Sequence, residues 1–181
     1  MATPTTLPAS FTAGQILTAA QMNNLRGAFR TLQVVSTNKT DTFTTTSTSY
    51  VDITGLSASI TPSASTNKVL VIVTLSVGDD PANTTSVSRL MRDATAIDVG
   101  DAAGSRVQAS GTTKAVSTAS QAAQAYVFLD SPATTSATTY KVQAATLGAT
   151  FTFALNRSAD DANTGGRTRT VSNITLMEIS A

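Results

Sequence analysis

The chain has 181 residues, no Cys, no His and no Trp, and twelve Lys plus Arg against eleven Asp plus Glu, for a formal charge of +1. Those absences exclude disulfides, thiolate nucleophiles, Cys- or His-held zinc and any triad that needs imidazole, and so even a charge balance is unlike the clustered basic surface of a nucleic-acid binder. Charged residues are 13% of the chain, while Thr is about one residue in five, a composition that reads as β-structure with a neutral, hydroxylated solvent face.

In chain order, residues 1–16 are rich in Pro, Thr and Ala and read as an extended arm. A helix is predicted from Ala19 to Arg30. Thr18 serves as its N-cap with Gln21 three residues later, and Leu17 and Met22 form the matching hydrophobic staple. Met22, Leu25, Phe29 and Leu32 recur at helical spacing on one face. About twelve residues are marginal as an isolated helix in water, so the stripe needs a surface to cover. Packing on its own domain and docking on another chain are the two readings, and the second is preferred. Leu17, Met22, Leu25 and Phe29 are then the expected docking or oligomer contacts.

From residue 33 to 181 the pattern is that of strands. Leu32–Ser36, Phe43–Thr48 and Tyr50–Thr54 are β-branched or aromatic, with Gly55 expected to end the third run. Leu56, Ala58 and Ile60 alternate with serines. Lys68–Val77 carries Val69, Val71, Val73, Leu75 and Val77 on one face and Leu70 and Ile72 on the other, as a central strand does. Gly78-Asp79-Asp80-Pro81 is expected to break it. Ser86–Asp93 and Ala96–Val99 follow, then a weakly patterned stretch from Gly100 to Ser120. Gln121–Asp130, the alternations at Tyr140/Val142/Ala144 and Phe151/Phe153/Leu155, a polar loop from Arg157 to Arg167, and a last strand with Val171, Ile174, Leu176 and Ile179 complete the chain. Short strands at roughly ten-residue spacing predict an all-β fold, an antiparallel β-sandwich of jelly-roll type, preceded by the arm and the short amphipathic helix. Few aromatics and many inward Ala and Thr predict a thin core that subunit contacts would support, so a homo-oligomer is expected.

The carboxylates offer three places for chemistry: Asp79/Asp80, Asp160/Asp161, and Asp98 with Asp101. Each would suit surface Ca²⁺ or an acid–base pair, and each also suits ordinary turn chemistry, which is the preferred reading. Arg89 and Arg92, and Arg157, Arg167 and Arg169, are open to a local patch for an anionic partner, and a solvated loop or an intersubunit Asp–Arg pair is the preferred reading. No catalytic residue, metal ligand or cofactor is expected. The start of the chain lacks the pattern of a signal peptide, and the longest apolar run, Val69–Val73, is too short to span a bilayer, so no membrane insertion is expected.

Phe11-Thr12-Ala13-Gly14-Gln15-Ile16-Leu17-Thr18-Ala19-Ala20-Gln21-Met22-Asn23-Asn24 resembles the N-terminal segment of many tailed-bacteriophage tail-fibre, minor tail and other virion proteins. Thr48–Leu56, Phe128–Pro132, Thr138–Gln143 and Ile174–Ile179 resemble β-rich phage structural proteins, including those of phages of cyanobacteria. The resemblance implies a non-enzymatic virion component, made in the bacterial host cytoplasm. Residues 1–32 would attach it to capsid, neck or tail proteins, and residues 33–181 would form an outward β domain, with a trimer as the expected homo-oligomer, able to contact a host surface glycan. No nucleic-acid partner is implied. The chain lacks the long shaft of many fibres, which points to a short tail fibre or a head or neck appendage. A capsid cement or decoration protein is the alternative, and a carbohydrate-binding β module a further one.

Overall fold

The computed structural model describes residues 13, 14, 16, 31–81 and 84–180. The predicted helix and its contacts Leu17, Met22, Leu25 and Phe29 lie outside the described residues. Among the described residues the regular elements are all strands: β1 (Thr31–Lys39), β2 (Phe43–Thr45), β3 (Val51–Ile60), β4 (Lys68–Asp80), β5 (Ser86–Arg92), β6 (Thr95–Ile97), β7 (Gly111–Thr113), β8 (Ala122–Asp130), β9 (Thr138–Thr146), β10 (Thr152–Leu155) and β11 (Ser172–Ile179). Every strand pair is antiparallel.

The strands form two sheets that share one core. In sheet A, β4 is flanked by β8 along one side and by β11 and β10, end to end, along the other. Val77 fixes this arrangement, because it pairs with Ala122 of β8 and with Leu155 of β10 at once. β1 and β2 then lie outside β11 and β10. In sheet B the order is β3, β9, β5, with β6 and β7 sharing the last edge. Each sheet is therefore four positions wide.

Period-two alternation decides which residues are buried. Val69, Val71, Val73, Leu75 and Val77 of β4 point inward with Ile174 and Leu176 of β11, and meet Ile53, Leu56, Ala58 and Ile60 of β3 and Leu90, Tyr140, Val142 and Ala144 of sheet B. The core is thus mainly aliphatic rather than lined by Ala and Thr. Fully burying a side chain such as Leu56 contributes about 1.5–3 kcal/mol.

Two expected breaks are not breaks. β3 runs through Gly55, which sits at φ +79° inside a register shift between Asp52 and Ser57. The glycine takes up a bulge that a β-branched residue would resist. β4 likewise continues through Gly78, Asp79 and Asp80, pairing with β10, and stops only before Pro81. Gly78 serves close packing: a Cβ there would lie 2.8 Å from the Arg157 carbonyl oxygen and 2.9 Å from the Ala159 nitrogen. Those atoms belong to residues 156–171, an excursion between β10 and β11. Asn156, at φ +61°, closes its neck. Its Nδ2 donates to the Lys39 and Asp41 carbonyls at 2.8 and 2.9 Å, its Oδ1 accepts from the Ser172 hydroxyl at 2.6 Å, and its N–H donates to the Ser76 carbonyl at 2.9 Å.

Candidate interaction surface

The strand registers place apolar side chains in rows across the outer face of sheet A. Val34 is opposite Met177, Met177 opposite Leu70, and Leu70 opposite Leu129, so one row crosses β1, β11, β4 and β8 from edge to edge. The next row holds Ser36, Thr175, Ile72 and Val127, with the Ser36 and Thr175 hydroxyls bonded at 2.9 Å. Val34, Leu129 and Val127 are 56%, 54% and 61% exposed, while Leu70, Ile72 and Met177 are half-buried. No charged side chain interrupts these two rows. A contiguous apolar band of this kind, bordered by hydroxyls and amides and on one side by Lys68, which donates to the Ser131 hydroxyl at 2.7 Å, is the usual signature of a contact surface.

Sheet B presents a different outer face. Tyr50 lies under the Arg89 guanidinium, 4.0 Å from the ring centroid, and donates its hydroxyl to the Gln108 carbonyl at 2.7 Å. Arg89 Nε donates to Gln143 Oε1 at 2.9 Å, and Gln143 Nε2 and Lys141 Nζ each donate to Asp52 at 2.7 Å. The Lys141 and Gln143 donors hold the Asp52 carboxyl below its ordinary range. Beside this network the 100–112 segment borders an open groove of about 710 Å³ with Val87, Val107 and Leu147 on its walls.

The carboxylate pairs singled out in the sequence do not converge. Asp79 is fully buried in β4, where its Oδ2 accepts the Ala115 N–H at 3.0 Å. Burial pushes its carboxyl up, against the opposing pull of Ser86 and Ala115. Asp160 accepts from the Arg167 guanidinium, which holds it at about 2. Asp161 is paired with Arg169 and, at 3.0 Å, with Arg157. These are pairs within one loop of one chain, so the excursion uses its own charges to hold its shape. Among the described residues no three Asp, Glu, His or Cys side chains gather in one place.

Arg89 and Arg92 do not form a patch. Three positions apart on a strand they face opposite ways. Arg89 lies outward over Tyr50, and Arg92 turns inward, where its Nη1 donates to both oxygens of buried Asp130 at 2.9 Å. The Tyr140 hydroxyl also donates to Asp130, at 2.6 Å, so β5, β8 and β9 are tied across the two sheets. Burial first, and then the Asp130 carboxylate, push the Tyr140 phenol far up.

Glu178 is the buried group that strand counting could have found. It continues the inward parity of Ile174 and Leu176, whereas Ile179 falls on the outer face and Val171 is exposed. Glu178 Oε1 accepts from the Ser63 N–H at 2.7 Å, the Ser63 hydroxyl at 2.8 Å and Asn67 Nδ2 at 2.6 Å. Its Oε2 accepts from Gln33 Nε2 at 2.6 Å. Desolvation pushes the carboxyl up, but these donors outweigh it and hold it at about 2. The carboxylate joins β1, the turn before β4, and β11.

No helix among the described residues is long and apolar enough to cross a membrane. Comparison with family models and with curated proteins finds no match to the chain.

Proposed function

We propose that this chain is a non-enzymatic structural protein of a tailed-phage particle, a short tail fibre or a head or neck appendage. Its N-terminal segment attaches it, and its β domain faces outward. The observation that carries the reading is the apolar band that crosses sheet A from edge to edge, a surface suited to another protein and not to a small polar substrate. Strand order supports it. β1/β2–β11/β10–β4–β8 packed against β3–β9–β5–β6/β7 is the order of a jelly-roll sandwich, an architecture of viral capsid and lectin domains. Fold alone does not assign a function, so the weight rests on the band.

The hydroxylated rim around the band suits assembly among neutral protein surfaces. A capsid cement protein would use the same band against shell subunits, and copy number separates the two: hundreds per particle for cement, a few or tens for an appendage.

The test is incorporation. Val34→Lys with Met177→Lys places two charges on the band without touching the core, and the variant is expected to fold but to be missing from purified particles. Deleting residues 1–30 is expected to do the same. Normal incorporation of both would end the proposal.

A further inference from the structure

Sheet edges are templates for pairing with another chain, and proteins blunt them with short strands, charges, bulges or Pro. Two of the four edges here are blunted: β3 carries the Gly55 bulge and Asp52, and β6 and β7 are three residues each. On the third, β1 shifts register between Thr31 and Gln33 and then pairs evenly over seven residues. The β8 edge is longer still. Its nine residues pair with β4 without a register shift, from Val69↔Asp130 to Val77↔Ala122. It contains no Pro, Gly, Lys or Arg, and its one charge, Asp130, is turned inward onto Arg92. Among the described residues no backbone hydrogen bond outside the β4 ladder engages residues 122–130.

We infer that β8 pairs antiparallel with β8 of a second copy of this chain, about a twofold axis at Tyr126, so that sheet A continues from one copy into the other. Sequence self-complementarity selects the partner. Around that axis Ala123 lies opposite Leu129 of the second copy and Ala125 opposite Val127, and the same pairs recur on the other side of the axis. Ala123, Ala125, Val127 and Leu129 are all exposed on the outer face, so each large side chain meets a small one and the surface interdigitates without a clash. The edge is roughly 30 Å long at the usual strand rise. The apolar rows through Leu70 and Ile72 end on Leu129 and Val127, so pairing carries the band across both copies. An isologous contact closes at two copies, against the three expected from sequence. The inference is independent of whether the chain serves in a phage particle.

The test uses the full chain in sedimentation equilibrium. Val127→Lys, at an exposed position, is expected to leave the thermal melt unchanged at high dilution, where the wild type is also monomeric, and to halve the mass seen for the wild type at about 0.1 mM, a concentration that detects contacts of modest affinity. Val116→Lys, at another exposed position off the edge, is expected to leave the mass unaltered. Because the chain has no cysteine, oxidation gives a second readout that does not depend on the lysine variant. A mixture of Ala125→Cys and Val127→Cys chains is expected to form a covalent heterodimer, since opposed strand residues lie within disulfide range. A mass that Val127→Lys does not change, a wild type that stays monomeric at that concentration, or crosslinking by each single variant as fast as by the mixture would overturn the inference.

Discussion

Glu178 gives the sharpest test of how the β domain is held together. Glu178→Gln keeps the volume of the side chain and one acceptor oxygen, which can still receive the bonds from Ser63 and Asn67, but it removes the charge that strengthens them and sets an amide donor against the Gln33 Nε2 donor, so the fourth bond is lost. The carboxyl is held at about 2 against an ordinary 4.5. A shift of that size corresponds to about 3 kcal/mol as an upper limit, and to about 1–2 kcal/mol once solvent screening near the partly exposed Gln33 bond is allowed for. Between the two values the unfolded chain binds the proton and the folded chain does not. The contribution is therefore complete above about pH 4.5 and is lost as pH falls toward 2. Chemical denaturation at pH 7 and at pH 3 is the assay. The wild type is expected to exceed Glu178→Gln by about 1–2 kcal/mol at pH 7, with the gap narrowing at pH 3. Glu178→Ala leaves buried donors unpaired and is expected to cost more, about 2–4 kcal/mol. A wild type and a Gln variant that keep the same gap at both pH values would refute the reasoning.

Three further outcomes are expected. Gly78→Ala drives a methyl group against the backbone of residues 157–159 and should lower stability by about 1–3 kcal/mol in denaturant titration; an unchanged midpoint would show that the excursion can move away. Asp79→Asn keeps an acceptor for the Ala115 N–H and removes a carboxyl whose value burial has raised. The Asp79 contribution is fully present below the ordinary 3.8 and is lost as pH rises through the raised value, so the Asn variant should gain on the wild type with rising pH in parallel melts, and a widening loss would contradict this. Asp160→Asn loosens an exposed pair with Arg167 and should leave the melting midpoint of the β domain unchanged at neutral pH; a large drop would mean that the excursion supports the core.

The strands of the β domain were legible because burial imposes a period of two. Val69 through Val77 announced β4 as central, and Ile174 and Leu176 marked the inward face of β11. Glycine misled in two places for one physical reason: a residue without a side chain permits a turn, a bulge or a close approach, and sequence alone does not say which is used. Gly55 serves a bulge and Gly78 a close approach. The continuity of β10 with β11 was hidden because a polar stretch of residues 156–171 looks like any loop until Asn156 is seen joining its two ends. Parity separates the two arginines, since Arg89 and Arg92 are close in sequence yet lie on opposite faces, and the Arg92–Asp130 pair forms within one chain and not between subunits. The apolar band was out of reach for a related reason. It depends on the register between β1, β11, β4 and β8, four strands far apart in the chain, and no local pattern states that Val34, Met177, Leu70 and Leu129 fall in one row.

The role proposed for the chain is that of a phage-particle component, attached by its N-terminal segment with its β domain facing outward. Cryo-electron microscopy of purified particles, with protein quantified by mass spectrometry, tests it most directly. The expected result is density for the β domain on the tail or neck in a few or tens of copies, with the band of Val34, Met177, Leu70 and Leu129 covered by protein. Particles that contain none of the chain, or that carry it with that band open to solvent, would contradict the claim.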